Sequence, residues 1–230
     1  MESTNPIISD LKMCLLEGNR KFEFLSIYRG VQFICQAELE SVLEDRAFFT
    51  VRADPTVVLL DREKTTIVLS SGLLDPFIIR VAAFDFSTGK LEACDMVYTG
   101  DIVGNRHEHR VEADPSVMVE MVVDGQEIQG NLTDLSLSGA GIRVPLGQDC
   151  ANFRRGKMVF LHLHLPEGDV QLQATALRSR KTFTGQWLAM VFTGNAPGKA
   201  AILRHVNRRL AEVRQEVQKL YKSYQSKMGG

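Results

Sequence analysis

Most of this chain consists of short strand-like runs separated by turn dipeptides, with no helical pattern between them. In the first half these runs lie between Val31 and Val97, and Asp-Pro, Ser-Gly and Thr-Gly pairs separate them. The runs are VQFICQAEL, AFFTVRA, TVVLL, TTIVLS, FIIRVAAFDF and LEACDMVY. Several short strands without intervening helices predict a small antiparallel barrel or sandwich.

A second β region extends from Val111 to Phe192. Its first long run, VMVEMVV, has apolar residues at alternate positions, and the hairpin dipeptide Asp124-Gly125 follows it. Residues 99–105 (TGDIVGN) contain two glycines and no periodicity, so we predict a linker there. The two β regions are similar in length, which predicts two antiparallel β domains in tandem.

The two ends of the chain have helical patterns instead. Residues 8–16 are typical of a short helix that ends near Gly18. After residues 196–198 (Ala-Pro-Gly), seven apolar residues repeat with alternating spacings of three and four. These residues, the heptad seam, are Leu203, Val206, Leu210, Val213, Val217, Leu220 and Tyr224. The seam either packs on the chain's own barrel or contacts a helix of another chain.

The sequence does not decide whether the C-terminal helix packs on its own barrel or on a helix of another chain. In a parallel homodimer Arg209 would face Arg214 and repel it, so an antiparallel or intramolecular arrangement is favoured. We therefore expect a mainly β protein with two tandem antiparallel barrels and a C-terminal α-helix. The expected boundaries are 1–100 for the N-terminal barrel with its short leading helix, 101–195 for the second barrel and 196–230 for the helix.

Composition excludes several classes of protein. The formal net charge of -1 argues against a protein that coats a nucleic acid polymer, which usually has a basic excess. No apolar run reaches the roughly 18 residues that a membrane span needs, and the N-terminus lacks the pattern of a signal peptide. The four cysteines are far apart and form no C-x-x-C pair, which predicts reduced thiols in a cytoplasmic protein.

Two arginines, Arg106 and Arg110, stand four residues apart just before the second β region. A guanidinium group can donate two parallel hydrogen bonds to a phosphate or to a guanine edge, and its plane can stack on a purine. The pair can therefore hold a ligand with phosphates and a base. The alternative is that both arginines are ordinary solvated charges, because Arg-x-x-x-Arg is a weak pattern.

The segment Asp134–Gly141 (DLSLSGAG) has a polar residue at every second position where a buried strand would be apolar. The Asp134 carboxylate can accept hydrogen bonds from the N1 and N2 donors of guanine, and the Ser136 hydroxyl can add another. Gly139 and Gly141 permit a close approach that a Cβ atom would block. The alternative is a β-turn in which Asp134 and Ser136 bond their own backbone.

Together the two segments resemble the PilZ domain, a bacterial receptor for cyclic di-GMP, whose pattern is R-x-x-x-R followed by D/N-x-S-x-x-G. The resemblance covers about residues 101–195 and implies a six-stranded antiparallel barrel. It also implies that Arg106 and Arg110 grip phosphates and guanine faces. Asp134, Ser136 and Gly139 would then hold a guanine edge. The N-terminal β region looks like the PilZ-like barrel of two-domain members such as flagellar brake proteins.

Three further residues are candidate ligand contacts: Asn105, His107 and Gly141. In the family the residue before the first arginine influences whether one nucleotide or a stacked pair binds. Here it is Asn105 rather than an arginine, so the number of cyclic di-GMP molecules stays open. His162 and His164 share a strand face, as metal ligands do, but no third ligand is near in sequence. A solvent-facing pair is therefore favoured, and we predict no metal.

The function indicated is that of a non-enzymatic cyclic di-GMP receptor in signal transduction. The chain has no nucleophile–base set, P-loop or dinucleotide fingerprint, so no catalytic residue is predicted. An alternative is a barrel that serves protein contacts alone, without nucleotide. Motility, surface attachment (biofilm) and exopolysaccharide output are all compatible with such a receptor. The N-terminal barrel and the C-terminal helix are the expected protein-partner surfaces, homo-oligomers stay open, and no direct membrane insertion is expected.

Overall fold

The computed structural model describes residues 5–73, 75–99, 108–148, 150, 153–194 and 198–228. The described residues divide into two compact units. Unit 1 takes in those within 1–28, 32–106 and 213–230, and unit 2 takes in those within 29–31 and 107–212. The expected fold class is confirmed, because each unit contains a closed six-stranded antiparallel barrel and a long C-terminal helix follows.

Unit 1 begins with helix α1 (Pro6–Glu17), which is capped at both ends. The Asn5 side chain accepts a hydrogen bond from the backbone of Ile7, and Gly18 ends the helix in the left-handed region with φ 78°. Its strands are β1 (Lys21–Tyr28), β2 (Val31–Leu43), β3 (Arg46–Val51), β4 (Thr65–Leu69), β5 (Phe77–Asp85) and β6 (Lys90–Tyr98). Their order in the barrel is β1-β2-β3-β6-β5-β4, and β1 pairs with β4 to close it.

Aromatic side chains fill the unit 1 barrel. The rings of Phe22 and Phe24 both pack edge-on against Phe49, with centroid distances of 5.6 and 5.0 Å. All three are buried, as are Phe77 and Leu91 on neighbouring strands. Alternate residues of β2 and β3 face this core, which is the burial pattern that period-two sequences produce.

Two details of the predicted strands in unit 1 are wrong. The run TVVLL is not a strand, because Pro55–Val57 forms a 3-10 helix that continues into α2 (Val58–Glu63). The Asp54 side chain accepts a hydrogen bond from the Thr56 backbone at 2.8 Å, so Asp-Pro acts as a helix start rather than as a turn. A five-residue apolar run fits a buried helix and a buried strand equally. The sequence analysis also placed no strand before Val31 and so missed β1.

The strands of unit 2 are β7 (Val111–Glu112), β8 (Met118–Val123), β9 (Gln126–Leu135), β10 (Gly139–Pro145), β11 (Met158–Leu165), β12 (Gly168–Thr182) and β13 (Gly185–Thr193). They form a barrel in the order β10-β13-β12-β11-β8-β9, which the pairing of β9 with β10 closes, and the short β7 also pairs with β9. Val119, Met121 and Val123 of β8 are buried, as their alternation predicted.

Helix α3 (Lys199–Met228) carries the heptad seam. Val206, Leu210, Val213 and Val217 are buried within the single chain, whereas Leu203 is 44% exposed. Four adjacent seam positions are thus already covered without a second copy, as intramolecular packing requires. None of the helices in the described part of the chain is long and apolar enough to cross a membrane.

Candidate functional site

A β-bulge at the end of β9 shapes the surface of unit 2 where the second motif begins. Gly141 of β10 lies opposite Asp134, but the next residue, Ile142, lies opposite Leu132, so Thr133 is the extra residue. A bulge lets two consecutive side chains leave the sheet on the same side. Thr133 and Asp134 are accordingly both half-buried, between the buried Leu132 and Leu135.

Arg110 forms an ion pair with Asp134 at this bulge. One terminal guanidinium nitrogen of Arg110 donates to Oδ1 of Asp134 at 3.1 Å. Pairing of Val111 with Leu135 sets this contact, because it holds the start of β7 beside the end of β9. The two side chains remain 32% and 24% exposed. A guanidinium group has five N–H donors, so an arginine held at one nitrogen can still bind an incoming anion.

The second carboxylate oxygen of Asp134 belongs to a short hydrogen-bond chain. The Thr133 hydroxyl donates to Oδ2 of Asp134 at 3.2 Å, and the indole Nε1 of Trp187 donates to that hydroxyl at 3.3 Å. Trp187 is half-buried on β13. Sequence reasoning did not assign Thr133 or Trp187 to the site, since their proximity depends on the bulge and on the β10–β13 pairing.

Gly141 leaves the space that the Asp134 carboxylate occupies. A Cβ atom on Gly141 would lie 2.2 Å from Oδ2 of Asp134 and 2.6 Å from the Thr133 hydroxyl oxygen. Real Cβ atoms do not approach other heavy atoms so closely. The missing side chain of Gly141 therefore sets where the carboxylate lies.

Ser136 and Gly139 form the turn between β9 and β10. Ser136 is buried, and both its backbone N–H, at 2.8 Å, and its hydroxyl, at 3.3 Å, donate to the Gly139 carbonyl. A Cβ atom on Gly139 would lie 2.4 Å from the carbonyl oxygen of Met190 on β13. Ser136 therefore bonds the backbone of its own turn, which was the alternative to ligand binding. Asp134 instead accepts hydrogen bonds from the side chains of Arg110 and Thr133.

The structure brings Arg110, Asp134 and Gly141 into one cluster, with Ser136 and Gly139 in the adjoining turn. The predicted residues Asn105, Arg106 and His107 lie outside the described residues. The arginine segment is described only from Glu108 onwards, where Glu108 and His109 are exposed.

The fold and this site define a two-barrel β protein whose second barrel carries an arginine–aspartate pair at a bulged strand end. Residues 104–208 match the PilZ domain family model. The matched region covers most of unit 2, so the second barrel is the part of the chain that carries the PilZ domain. No curated protein sequence matches the chain.

The solved structures to which the chain is similar are distant in sequence. YcgR from Escherichia coli, in complex with c-di-GMP, is 14% identical over 94% of this chain and 96% of its own, with a TM-score of 0.46. The inhibitor of motility MotI/DgrA of Bacillus subtilis is 14% identical over 84% and 97%, with a TM-score of 0.44. The MrkH–c-di-GMP complex of K. pneumonia is 11% identical over 93% and 97%, with a TM-score of 0.46.

Proposed function

We propose that this protein is a non-enzymatic receptor for cyclic di-GMP, with the binding site on the unit 2 barrel. The observation that carries the proposal is the pair of Arg110 and Asp134, 3.1 Å apart beside Gly141 in a PilZ domain. The pair joins the two sequence motifs that the family uses for this ligand. It also offers a cation for a phosphate and a carboxylate for a guanine edge.

Binding would exchange the partners of this ion pair. Cyclic di-GMP carries two phosphates and two guanines, so Arg110 can turn from Asp134 to a phosphate oxygen or a guanine face. Oδ1 of Asp134 is then free to accept from N1 and N2 of a guanine. Thr133 continues to donate to Oδ2 and keeps the carboxylate in place. Arg106 would supply a second cation, as the family pattern implies.

Ser136 and Gly139 would act by holding the turn. Because Ser136 is buried and bonds Gly139, its contribution is to fix the backbone beside Asp134 unless the turn opens for the ligand. We further propose that binding changes the arrangement of the two units, because Arg106 and Arg110 belong to the stretch of sequence between β6 and β7. Regulation of motility, surface attachment or exopolysaccharide output would follow through a protein partner.

Calorimetric titration of the full chain with cyclic di-GMP tests the receptor. We expect saturable binding that weakens as salt rises, and an affinity at least about tenfold lower in Arg110→Ala and Asp134→Ala. Arg155→Ala, which removes an exposed arginine from the turn before β11, is the matched control and should bind like wild type. Absence of binding by folded wild-type protein contradicts the proposal and favours the protein-contact module.

Two companion measurements separate the finer parts of the proposal. Chromatography of the ligand after incubation should recover intact cyclic di-GMP, whereas a linear dinucleotide would identify an enzyme. Small-angle scattering with and without ligand should report a change in the arrangement of the units. An unchanged scattering curve at saturating ligand would contradict that change while leaving the receptor itself intact.

A further inference from the structure

A second cluster of polar side chains lies on unit 2, on strands β8, β11 and β12. We propose that it is a site for a divalent transition metal ion such as Zn²⁺. His162, His164 and Glu120 are the ligands, and Asp169 orients the two histidines. This proposal goes beyond cyclic di-GMP binding and does not depend on it.

Strand register brings the four residues together. His162 and His164 are alternate residues of β11, so their side chains leave the barrel on the same side. His162 pairs with Glu120 across to β8, and His164 pairs with Asp169 across to β12. Directly paired residues on one face of a sheet have Cβ atoms only about 5 Å apart. The two carboxylates therefore flank the two imidazoles from opposite sides.

Each imidazole has a carboxylate at both ring nitrogens. On the Glu120 side, Nδ1 of His162 lies 3.2 Å from Oε2 and Nε2 of His164 lies 3.5 Å from Oε1. On the Asp169 side, Nε2 of His162 lies 3.5 Å from Oδ2 and Nδ1 of His164 lies 3.2 Å from Oδ1. Two ligand atoms about 2.0–2.1 Å from a tetrahedral zinc ion are about 3.3 Å apart, which is close to these separations.

The two imidazoles lie side by side, with ring centroids 4.1 Å apart. A neutral imidazole has one N–H donor and one lone pair. A ring that donates to Asp169 therefore presents its lone pair toward Glu120. In that tautomer, two ring nitrogens and a carboxylate face one another, which is the ligand set of a metal ion.

The nitrogen that would bind the ion has no hydrogen-bond partner. Nε2 of His164 is buried and makes no hydrogen bond with any described residue, although Glu120 is near. One ligand atom each from Glu120, His162 and His164 lies within 4.8 Å of the other two. To bind one tetrahedral ion, these atoms would approach one another to about 3.3 Å. Asp169, behind the histidines, then matches the carboxylate–histidine–metal arrangement that fixes ring orientation.

The two histidines alone predicted no metal site, because no third ligand is near them in sequence. Glu120 is far from them in sequence, and only the β8–β11 pairing brings it close. Two imidazoles and one carboxylate suit Zn²⁺ and its neighbours rather than Mg²⁺ or Ca²⁺, which prefer oxygen ligands. Three protein ligands leave a fourth position for water or another molecule.

Equilibrium dialysis of tag-free, full-length protein against Zn²⁺, with bound metal counted after removal of free metal, tests the site. We expect the wild-type chain to bind one zinc ion at this site and the double variant His162→Gln/His164→Gln to bind none there. The zinc affinity of Glu120→Gln should be at least about tenfold lower than that of wild type. Asp169→Asn should weaken binding about tenfold, as expected for a residue behind the ligands. Glu127→Gln removes an exposed carboxylate from neighbouring β9, and His109→Gln removes an exposed imidazole elsewhere. Both controls should bind zinc like wild type.

Co²⁺ provides a second measurement, because its absorption spectrum changes only if the side chains of the cluster bind the ion. Visible d–d absorption of Co²⁺ should appear with the wild-type chain and disappear in the double histidine variant. Zinc stoichiometry that is the same in wild type and in the folded double variant would overturn the proposal. The proposal would equally fall if the folded wild-type protein binds no zinc in the dialysis.

Discussion

Replacing Gly141 with alanine tests the geometry of the candidate site with one methyl group. The new Cβ atom would lie 2.2 Å from Oδ2 of Asp134, whereas ordinary contact needs about 3.4 Å. The carboxylate must therefore move by about 1.2 Å. The clash is with the end of a side chain rather than with backbone, so the fold can absorb it. The ion pair with Arg110 and the bond from Thr133 cannot both survive that shift.

The expected magnitudes separate binding from stability. A hydrogen bond to a charged group contributes about 1.5–3 kcal/mol, so a misplaced Asp134 should weaken cyclic di-GMP binding about 10- to 150-fold. A partly exposed ion pair contributes only about 0.2–1 kcal/mol to folding. The melting temperature of Gly141→Ala should therefore fall by less than about 4 °C.

Calorimetry and thermal melts of three glycine variants provide the assay. Gly139→Ala would place its Cβ atom 2.4 Å from a backbone carbonyl, so we expect a loss of about 1–3 kcal/mol in stability. Gly130→Ala meets Ile142 and the Arg143 backbone at 2.8 and 2.9 Å, away from Asp134, and should lower stability without weakening binding.

A double-mutant cycle isolates the cause of the Gly141 effect. If the alanine acts only by moving the carboxylate, adding Gly141→Ala to Asp134→Ala should weaken binding no further. Wild-type affinity in the folded single variant would refute the reasoning, and an additive loss would show that Gly141 acts by another route.

Three further predictions concern titration, thiol reactivity and the hydrogen-bond chain. Burial alone would raise the pKa of Glu167, but hydrogen bonds from Arg208 and a buried histidine lower it, so its contribution to stability is lost as pH falls below about 4.5. In Glu167→Gln, the melting temperature should therefore depend less on pH in the acid range than in wild type. The same acid dependence in both proteins would contradict this role of Glu167. Burial and Asp54 raise the pKa of Cys35 to about 12, so iodoacetamide should label Cys35 only after unfolding. Trp187→Phe removes the donor to Thr133 and should weaken cyclic di-GMP binding a few-fold, which calorimetry will show.

Strand periodicity made much of the fold predictable. The alternation in Val119, Met121 and Val123 placed those residues in the core of unit 2, because a strand sends alternate side chains to opposite faces. The same reasoning failed for Val58 and its neighbours, where a short apolar run carries no period. There the Asp54 cap decided for a helix.

The candidate site was predictable only in part. The spacing of the two arginines, Arg106 and Arg110, and of Asp134, Ser136 and Gly139 matches the PilZ pattern, because residue types and their spacing can be read from the sequence. The role of Trp187 was not predictable, since it depends on which strands are neighbours.

Sequence alone determined the tandem β barrels, the terminal helix and the family of the second barrel, because these depend on local period and on motif spacing. Tertiary structure alone decided how the side chains meet. The bulge at Thr133 turns Asp134 toward Gly141, and the β8–β11 register sets Glu120 beside two histidines. The physical reason is that strand register joins residues distant in the chain, and a shift of one position would send each of them to the opposite face.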